Sequence, residues 1–480
     1  MKKYISIIFV LFSFGRVSAQ LSSDSIKAII KKEVAGKRSK SIIVGIVDAN
    51  GRKIFSEGVM SDENPVLPDE NTIYEIGSIT KIFTSMVLAD MSLQHKLNLS
   101  DPISKFLPKK LKTPTRNGKE ITLLNLATHR AVFPRFPYNV DPKDLDKPYA
   151  DYTEKQLFEY VSNFKPDMDI DSRWRYSNTA YGLLGNILTS VSQKKNYETL
   201  IKEEICDPLH MNSTVITLTP ELKKKMATGY SEYGKAVNLL DLSAIEGAGA
   251  FRSDINDMLT FAAANLGFIS SDLFPAMELT HIKQAKKDGN DGYVTLAWTL
   301  WNDDGKNILF KDGGTPGFRT FIGIDKKNKF GVVVLSNSNN GVTDIGNHIL
   351  DPHYKMDPYK YPWKVLDTLR VNVKTSGVES TVILYKKLRA EKNPVFTFDE
   401  NQLNYLGQEL RREKRIADAI KIFELNRDEY PDSTLVYESL GEIYKRSHHK
   451  KKAVQYFEKA QHLDPNNLHW EFIISKLKNR

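Results

Sequence analysis

The chain has 480 residues, 41% hydrophobic and 26% charged, proportions that suit a globular protein with a large core and exclude a disordered or fibrous one. Its formal net charge is +9, but the basic residues fall in small scattered groups such as Lys223-Lys224-Lys225. That pattern reads as solvated surface, with binding to anionic envelope polymers as the alternative, and no nucleic-acid-binding motif is present.

In chain order, Met1-Lys2-Lys3 is a short basic start and Tyr4 to Phe14 an apolar run too short to span a bilayer. Val17-Ser18-Ala19 is a small-residue cleavage signal, so residues 1–19 read as a signal peptide cut before Gln20. The expected location is periplasmic or secreted, with no transmembrane segment after cleavage. Ser23 to Ala35 reads as a helix. Ile42 to Val47 and Lys53 to Phe55 flank Asp48-Ala49-Asn50-Gly51 as a strand-turn-strand unit. Tyr74-Glu75-Ile76-Gly77 is an extended entry into an apolar helix, and the region from about Ser78 to Leu266 reads as helices joined by long loops. Cys206, the only cysteine, excludes an internal disulfide. It reads as a buried small hydrophobe, with pairing between chains as the alternative. Strand signals return at Tyr293 to Trp301, Ile308 to Lys311, Phe318 to Asp325 and Phe330 to Ser336, joined by short turns as in an antiparallel meander. The sheet is thus expected from both ends of one domain, with a helical lobe inserted between them.

Beyond Asp351 three prolines, Pro352, Pro358 and Pro362, suggest a linker. Leu406-Gly407, Ala419, Phe423 and Pro431 then recur as Leu440-Gly441, Ala453, Phe457 and Pro465, each 34 residues on. That period resembles the tetratricopeptide repeat, a helix pair per unit. Ser376 to Ala390 adds a degenerate helical unit or the repeats pack on the preceding domain, since two units alone fall short of a stable stack. The organisation expected is a signal peptide (1–19), a main domain (20–350), a linker (351–375) and helical repeats (376–480).

Three short motifs carry chemistry. Ser78-Ile79-Thr80-Lys81 places a serine one helical turn before a lysine, on one helix face. A serine needs a neighbouring base to act as a nucleophile, and Ser-x-x-Lys supplies part of that activation. The bare spacing also occurs at Ser162, Ser192, Ser447 and Ser475, so the partners decide. Tyr176-Ser177-Asn178 and Lys311-Asp312-Gly313 follow, in order and widely spaced. With them the chain resembles the serine beta-lactamase and penicillin-binding protein superfamily, in its class C beta-lactamase-like branch, over roughly residues 22 to 350. Ile121 to His129, Asp207 to Thr214, Gly247 to Ser253 and Gly313 to Phe318 resemble further family segments.

The resemblance implies an α/β (α+β) fold: an antiparallel sheet flanked by helices plus an all-α lobe. It implies an acyl-enzyme at Ser78, Lys81 holding the Ser78 hydroxyl, Tyr176 as general base and Asn178 bonded to Lys81 and to the acyl side of the substrate. Lys311 is expected beside Tyr176 on the leaving-group side. The Ser78 and Gly314 N–H groups would form the oxyanion hole, with Gly313 and Asp312 lining the substrate site. Read singly, Tyr176 and Asn178 would only start the following helix, and Lys311 would be a solvated strand-end lysine. His129 reads as structural. No metal or cofactor is expected, because the histidines lack metal-ligand spacing.

Three departures stand out. Arg130-Ala131-Val132 replaces the family's Thr-Ser-Gly, His210 replaces a glycine, and Asp312 replaces a small or hydroxyl residue. A like charge about 5 Å from a substrate carboxylate, at an effective dielectric near 20, repels it by roughly 3 kcal/mol. Asp312 therefore predicts weak activity on penicillins and better activity on neutral esters or amides. The function expected is an exported serine hydrolase on ester, amide or peptide substrates. The alternatives are a beta-lactamase or D-alanyl-D-alanine carboxypeptidase, or a catalytically idle envelope scaffold. The repeats would then be a docking surface for a protein partner.

Overall fold

The computed structural model describes residues 20–287, 292–301, 306–392 and 394–479, so the signal peptide expected over 1–19 lies outside the described residues. Helix α1 (Ser23–Ala35) is capped by Ser22 and leads into strands β1 (Ser41–Asp48) and β2 (Gly51–Gly58). β1 is a run of Ile and Val buried on both faces, which marks a central strand. The sheet resumes with a short strand that was not expected, β3 (Ala285–Lys286), and then the expected meander as β4 (Tyr293–Val294), β5 (Thr299–Trp301), β6 (Ile308–Gly314), β7 (Arg319–Asp325) and β8 (Phe330–Ser336). The expected strand from Tyr293 to Trp301 is split by Ala297, whose backbone is left-handed at φ +75°. β8 pairs antiparallel with β1, Val44 opposite Val334, and closes an eight-stranded sheet in the order β2-β1-β8-β7-β6-β5-β4-β3 among the described residues. Both ends of the domain therefore build one sheet.

The intervening chain supplies helix α2 (Thr80–Leu93), almost wholly buried, and helix α3 (Asn178–Ser192) beside it. Helix α4 (Ile255–Asn265) packs on the sheet under β1 and β8. Cys206 is buried, and burial pushes its thiol pKa up, as suits a core residue.

After Asp351 the chain is irregular to Trp363 and then helical. The segment expected as a linker contains helix α5 (Lys364–Thr375), whose Val365, Leu366, Leu369 and Val373 are buried. It pairs with α6 (Gly377–Ala390), so the unit read as degenerate is a full helix pair. Helices α7 (Glu400–Arg412), α8 (Ile416–Glu429), α9 (Thr434–Arg446), α10 (Lys450–Leu463) and α11 (Leu468–Lys478) follow. The 34-residue period has a packing cause. A Cβ at Gly407 would lie 2.4 Å from the Phe423 ring, and one at Gly441 would lie 2.8 Å from Phe457. Each glycine lets the second helix of its pair seat a phenylalanine against the first.

These helices lie against the main domain. Tyr405 of α7 stacks on Tyr233 at 4.0 Å and donates to Glu232, and Arg370 Nη1 donates to Tyr233 O at 3.1 Å. A second set of contacts holds the loop 134–151. Lys445 Nζ lies 2.9 Å from Asp141, which also takes Lys476, while Arg411 and Arg412 reach Asp146 at 3.0 and 2.8 Å. Arg446 donates to the carbonyls of Pro142 and Lys143 at 2.9 and 2.8 Å, and His469 Nδ1 donates to Tyr138 O at 2.9 Å.

Candidate active site

Strand pairing and one glycine fix the nucleophile. Tyr74–Glu75 pairs with Arg252–Ser253, and Ile76 N donates to Phe251 O at 3.0 Å. Gly77 then turns at φ +50°, and its missing Cβ would lie 2.6 Å from Gly314 N. Only glycine tolerates both the left-handed backbone and that approach. Thr320 Oγ1 donates to Ile76 O at 3.0 Å, which pins the turn to the end of β6 and β7. Ser78 follows in a 3-10 turn, Gly77–Ile79, that runs into α2, so its side chain and Lys81 share the start of one helix.

Ser78 Oγ lies 2.5 Å from Tyr176 Oη and 3.1 Å from Lys81 Nζ. Lys81 is fully buried and donates also to Asn178 Oδ1 at 2.8 Å and Ala248 O at 2.5 Å. Three oxygens thus match the three protons of an ammonium. Burial pulls the Lys81 pKa down to about 8, with Tyr176 opposing and Lys311 assisting the drop. The Tyr176 ring is ringed by cations: Lys81 Nζ at 4.9 Å, Lys311 Nζ at 5.0 Å and Arg135 Cζ at 5.4 Å from its centroid.

Local structure explains why Tyr176 points there. Ser177 is the cap of α3, accepting from Ala180 N at 3.0 Å, so Tyr176 projects from the residue before the helix and Asn178 is its first residue. The two motif residues do start a helix, and the cap between them is what aims both at Lys81. Arg135 O accepts from Asn178 N at 2.8 Å, and Pro134 O accepts from Ser177 Oγ at 2.8 Å. His129 accepts from Ser177 N at 3.1 Å through Nδ1 and lies 4.4 Å from the Tyr176 ring. Burial, with Lys311 and Lys81 nearby, drives the His129 pKa far down, so it stays neutral and supports the loop. Val132, where the family glycine is replaced, still adopts φ +57°, a strained conformation for a β-branched residue.

Lys311, Gly313 and Gly314 meet this cluster along β6, whereas Asp312 takes the alternate side of the strand and is exposed. Asp312 interacts with Lys287, Lys311 and Arg319. Four groups near the cluster were not expected at the site: Ala248 O, Arg135, Lys287 and Arg319. The run Gly247-Ala248-Gly249 was the available signal for the first, since small residues mark a close backbone approach.

A family model described as Beta-lactamase matches residues 26–351. The chain belongs to the beta-lactamase family. The D-alanyl-D-alanine-carboxypeptidase/endopeptidase AmpH of Escherichia coli K12 is 28% identical over 337 residues, spanning 66% of this chain and 85% of that protein. A beta-lactamase of Lysobacter lactamgenus is 24% identical, spanning 65% and 86%. Among solved structures, the class C beta-lactamase from Rhodobacter sphaeroides superposes with TM-score 0.58 at 22% identity, over 66% of this chain and 95% of that one. The beta-lactamase/D-alanine carboxypeptidase from Pseudomonas syringae superposes with TM-score 0.60 at 20% identity, over 69% and 99%. As a family member the protein is a serine hydrolase that works through an acyl-enzyme. Among the described residues no group of acidic, histidine or cysteine side chains is arranged to hold a metal, and no helix is long and apolar enough to cross a membrane.

Proposed function

We propose that the protein is an exported hydrolase of peptides or esters that bear a carboxylate close to the scissile bond, D-alanyl peptides being the natural class. The observation that carries this reading is the ring of cations around Tyr176, beside a Ser78 hydroxyl already 2.5 Å from the phenol oxygen. Tyr176, as general base, takes the Ser78 proton as Oγ attacks the acyl carbonyl. Lys81 holds Oγ in line and stabilises the negative charge. The N–H groups of Ser78 and Gly314, brought together by Gly77, take the developing oxyanion. Tyr176 returns the proton to the leaving amine or alcohol, and the same residue then activates the water that releases the acyl group. Asn178 orients the acyl side.

The charge on Asp312 does not exclude a carboxylate substrate, because Lys287, Lys311 and Arg319 all act on it and Arg135 adds a further cation. The expectation that neutral esters are preferred is therefore replaced by a cleft of net positive charge. Export rests on the basic start, apolar run and Val17-Ser18-Ala19 of the first nineteen residues. The tail is read as a tetratricopeptide-like module on the strength of its 34-residue period and paired helices.

Labelling with a fluorophosphonate followed by mass spectrometry tests the nucleophile: the adduct is expected on Ser78 and absent in Ser78→Ala. Release of D-alanine from an N-acyl-D-alanyl-D-alanine peptide, compared with the same peptide ending in a carboxamide, tests the substrate class. Equal rates on the two would overturn the carboxylate requirement, and labelling elsewhere would overturn the site.

A further inference from the structure

Between the loop 134–151 and the first helices of the repeats lies a groove of about 920 Å³. It opens from the catalytic cleft at Pro134 and Arg135, the residues whose carbonyls bond the start of α3. Its walls mix aromatic and charged side chains. Phe136 stacks on Tyr149 with centroids 4.6 Å apart and planes 17° apart, and Trp470 of α11 faces them from the repeats. The charges on the walls differ. The catalytic end carries Arg135, beside Tyr176, and Arg175, which is held by Asp167 at 2.9 Å. The wall formed by the repeats carries Glu438 and Glu442 of α9.

The two glutamates are not equivalent. Glu442 is committed to Lys445 at 2.6 Å and to Arg446 at 3.5 Å. Glu438 is half-buried, lines the groove, and has no hydrogen bond or ion pair among the described residues. Burial, with Glu442 adding repulsion and Lys445 only partly offsetting it, pushes the Glu438 pKa up to about 7. A carboxylate kept out of water with no partner is costly, and a cation brought to it recovers that cost. Arg135 disfavours a cation beside Tyr176, whereas Glu438 has no ion pair of its own, so the groove suits a substrate extension that carries a cation on the side of the repeats.

We propose that this groove is a second substrate subsite, which takes the acyl-side extension of a peptide substrate and binds a primary amine on that extension at Glu438. The placement on the acyl side follows from the substrate class: the leaving D-alanine ends in its own carboxylate, so only the acyl side of such a peptide extends further. The repeats then form one wall of the substrate site. This inference rests on the D-alanyl peptide reading above.

The test uses the full chain and two D-alanyl-D-alanine peptides with the same long N-acyl extension, one ending in a free amine and one in its N-acetylated form. At pH 8, where Glu438 is ionised, wild type is expected to favour the free amine by tenfold or more in kcat/KM, carried by KM. Glu438→Gln is expected to erase that preference while leaving turnover of a small chromogenic ester unchanged. Equal kcat/KM for the two peptides in wild type, or a preference that survives Glu438→Gln, overturns the subsite and leaves the carboxypeptidase reading standing. Turnover of the small ester with neither peptide cleaved overturns the carboxypeptidase reading, and the subsite with it.

Discussion

Replacing Asp141 by asparagine should detach the repeats from the loop that borders the active site. Burial alone would raise the Asp141 pKa, but hydrogen bonds from Lys476 and Lys445, and their charges, pull it from 3.8 to about 2. That drop is worth about 2 kcal/mol at 1.36 kcal/mol per tenfold change. The side chains of Asp141, Lys445 and Lys476 retain 17, 16 and 34% of their exposure, so water screens the pair and about 1–2 kcal/mol is the expected loss. The sign follows from a depressed carboxyl: its contribution is present above pH 3.8 and disappears as the pH falls through about 2. Urea unfolding at pH 7 should show the loss, and limited proteolysis should open the chain between residues 134 and 151. Because Pro134 and Arg135 hold the first residues of α3, kcat on a small ester should fall severalfold while Ser78 still labels. A stability change under about 0.3 kcal/mol, with no new cleavage in the loop, would refute the argument.

Three further outcomes are expected. Gly77→Ala puts a Cβ 2.6 Å from Gly314 N at a φ of +50°, which spreads the two N–H donors; acylation by a fluorophosphonate, followed by mass spectrometry, should slow by about 10²-fold or more. Lys81 is held near a pKa of 8 against 10.5 when unfolded, so its buried charge costs about 3 kcal/mol below pH 8 and that cost is relieved between pH 8 and 10.5. Lys81→Met should therefore lack the stability gain that wild type shows over that interval in thermal melts. Asp312→Thr should raise kcat/KM on nitrocefin by less than about tenfold, because three cations already act on Asp312; a larger gain would show that they do not compensate it.

The parts of the site that were legible in the sequence are those whose chemistry is fixed by near neighbours. Ser78 and Lys81 share one turn, and Tyr176 and Asn178 flank a helix cap, so local periodicity and three spaced motifs located them. The sheet was legible for a similar reason, because Ile42 to Val47 and Phe330 to Ser336 are buried on both faces. What was hidden depends on tertiary approach. Ala248 matters through a carbonyl, and Arg135 through a guanidinium and a carbonyl, and neither type of contact leaves a residue-type signal. The surroundings of Asp312 were hidden because Lys287 follows strand β3 and Arg319 opens β7, and no local pattern reveals that both approach it. The repeats were recognised by period. That their face would be turned onto the loop 134–151 depends on pairs such as Lys445 with Asp141, 304 residues apart.

That last arrangement bears on what the tail can bind. All the side-chain hydrogen bonds described from the tail helices to the main domain come from α5 and from the first helices of the following pairs, α7, α9 and α11. That face is occupied by the protein's own loop, through Asp141 and Asp146. A partner seeking that face has to evict Asp141 and Asp146, and in doing so it withdraws the support of the Pro134 and Arg135 carbonyls from the catalytic helix. Any ligand that displaced the loop from this face would therefore be coupled to the active site, and substrate filling the groove would weaken its hold by the same factor that it weakens substrate binding.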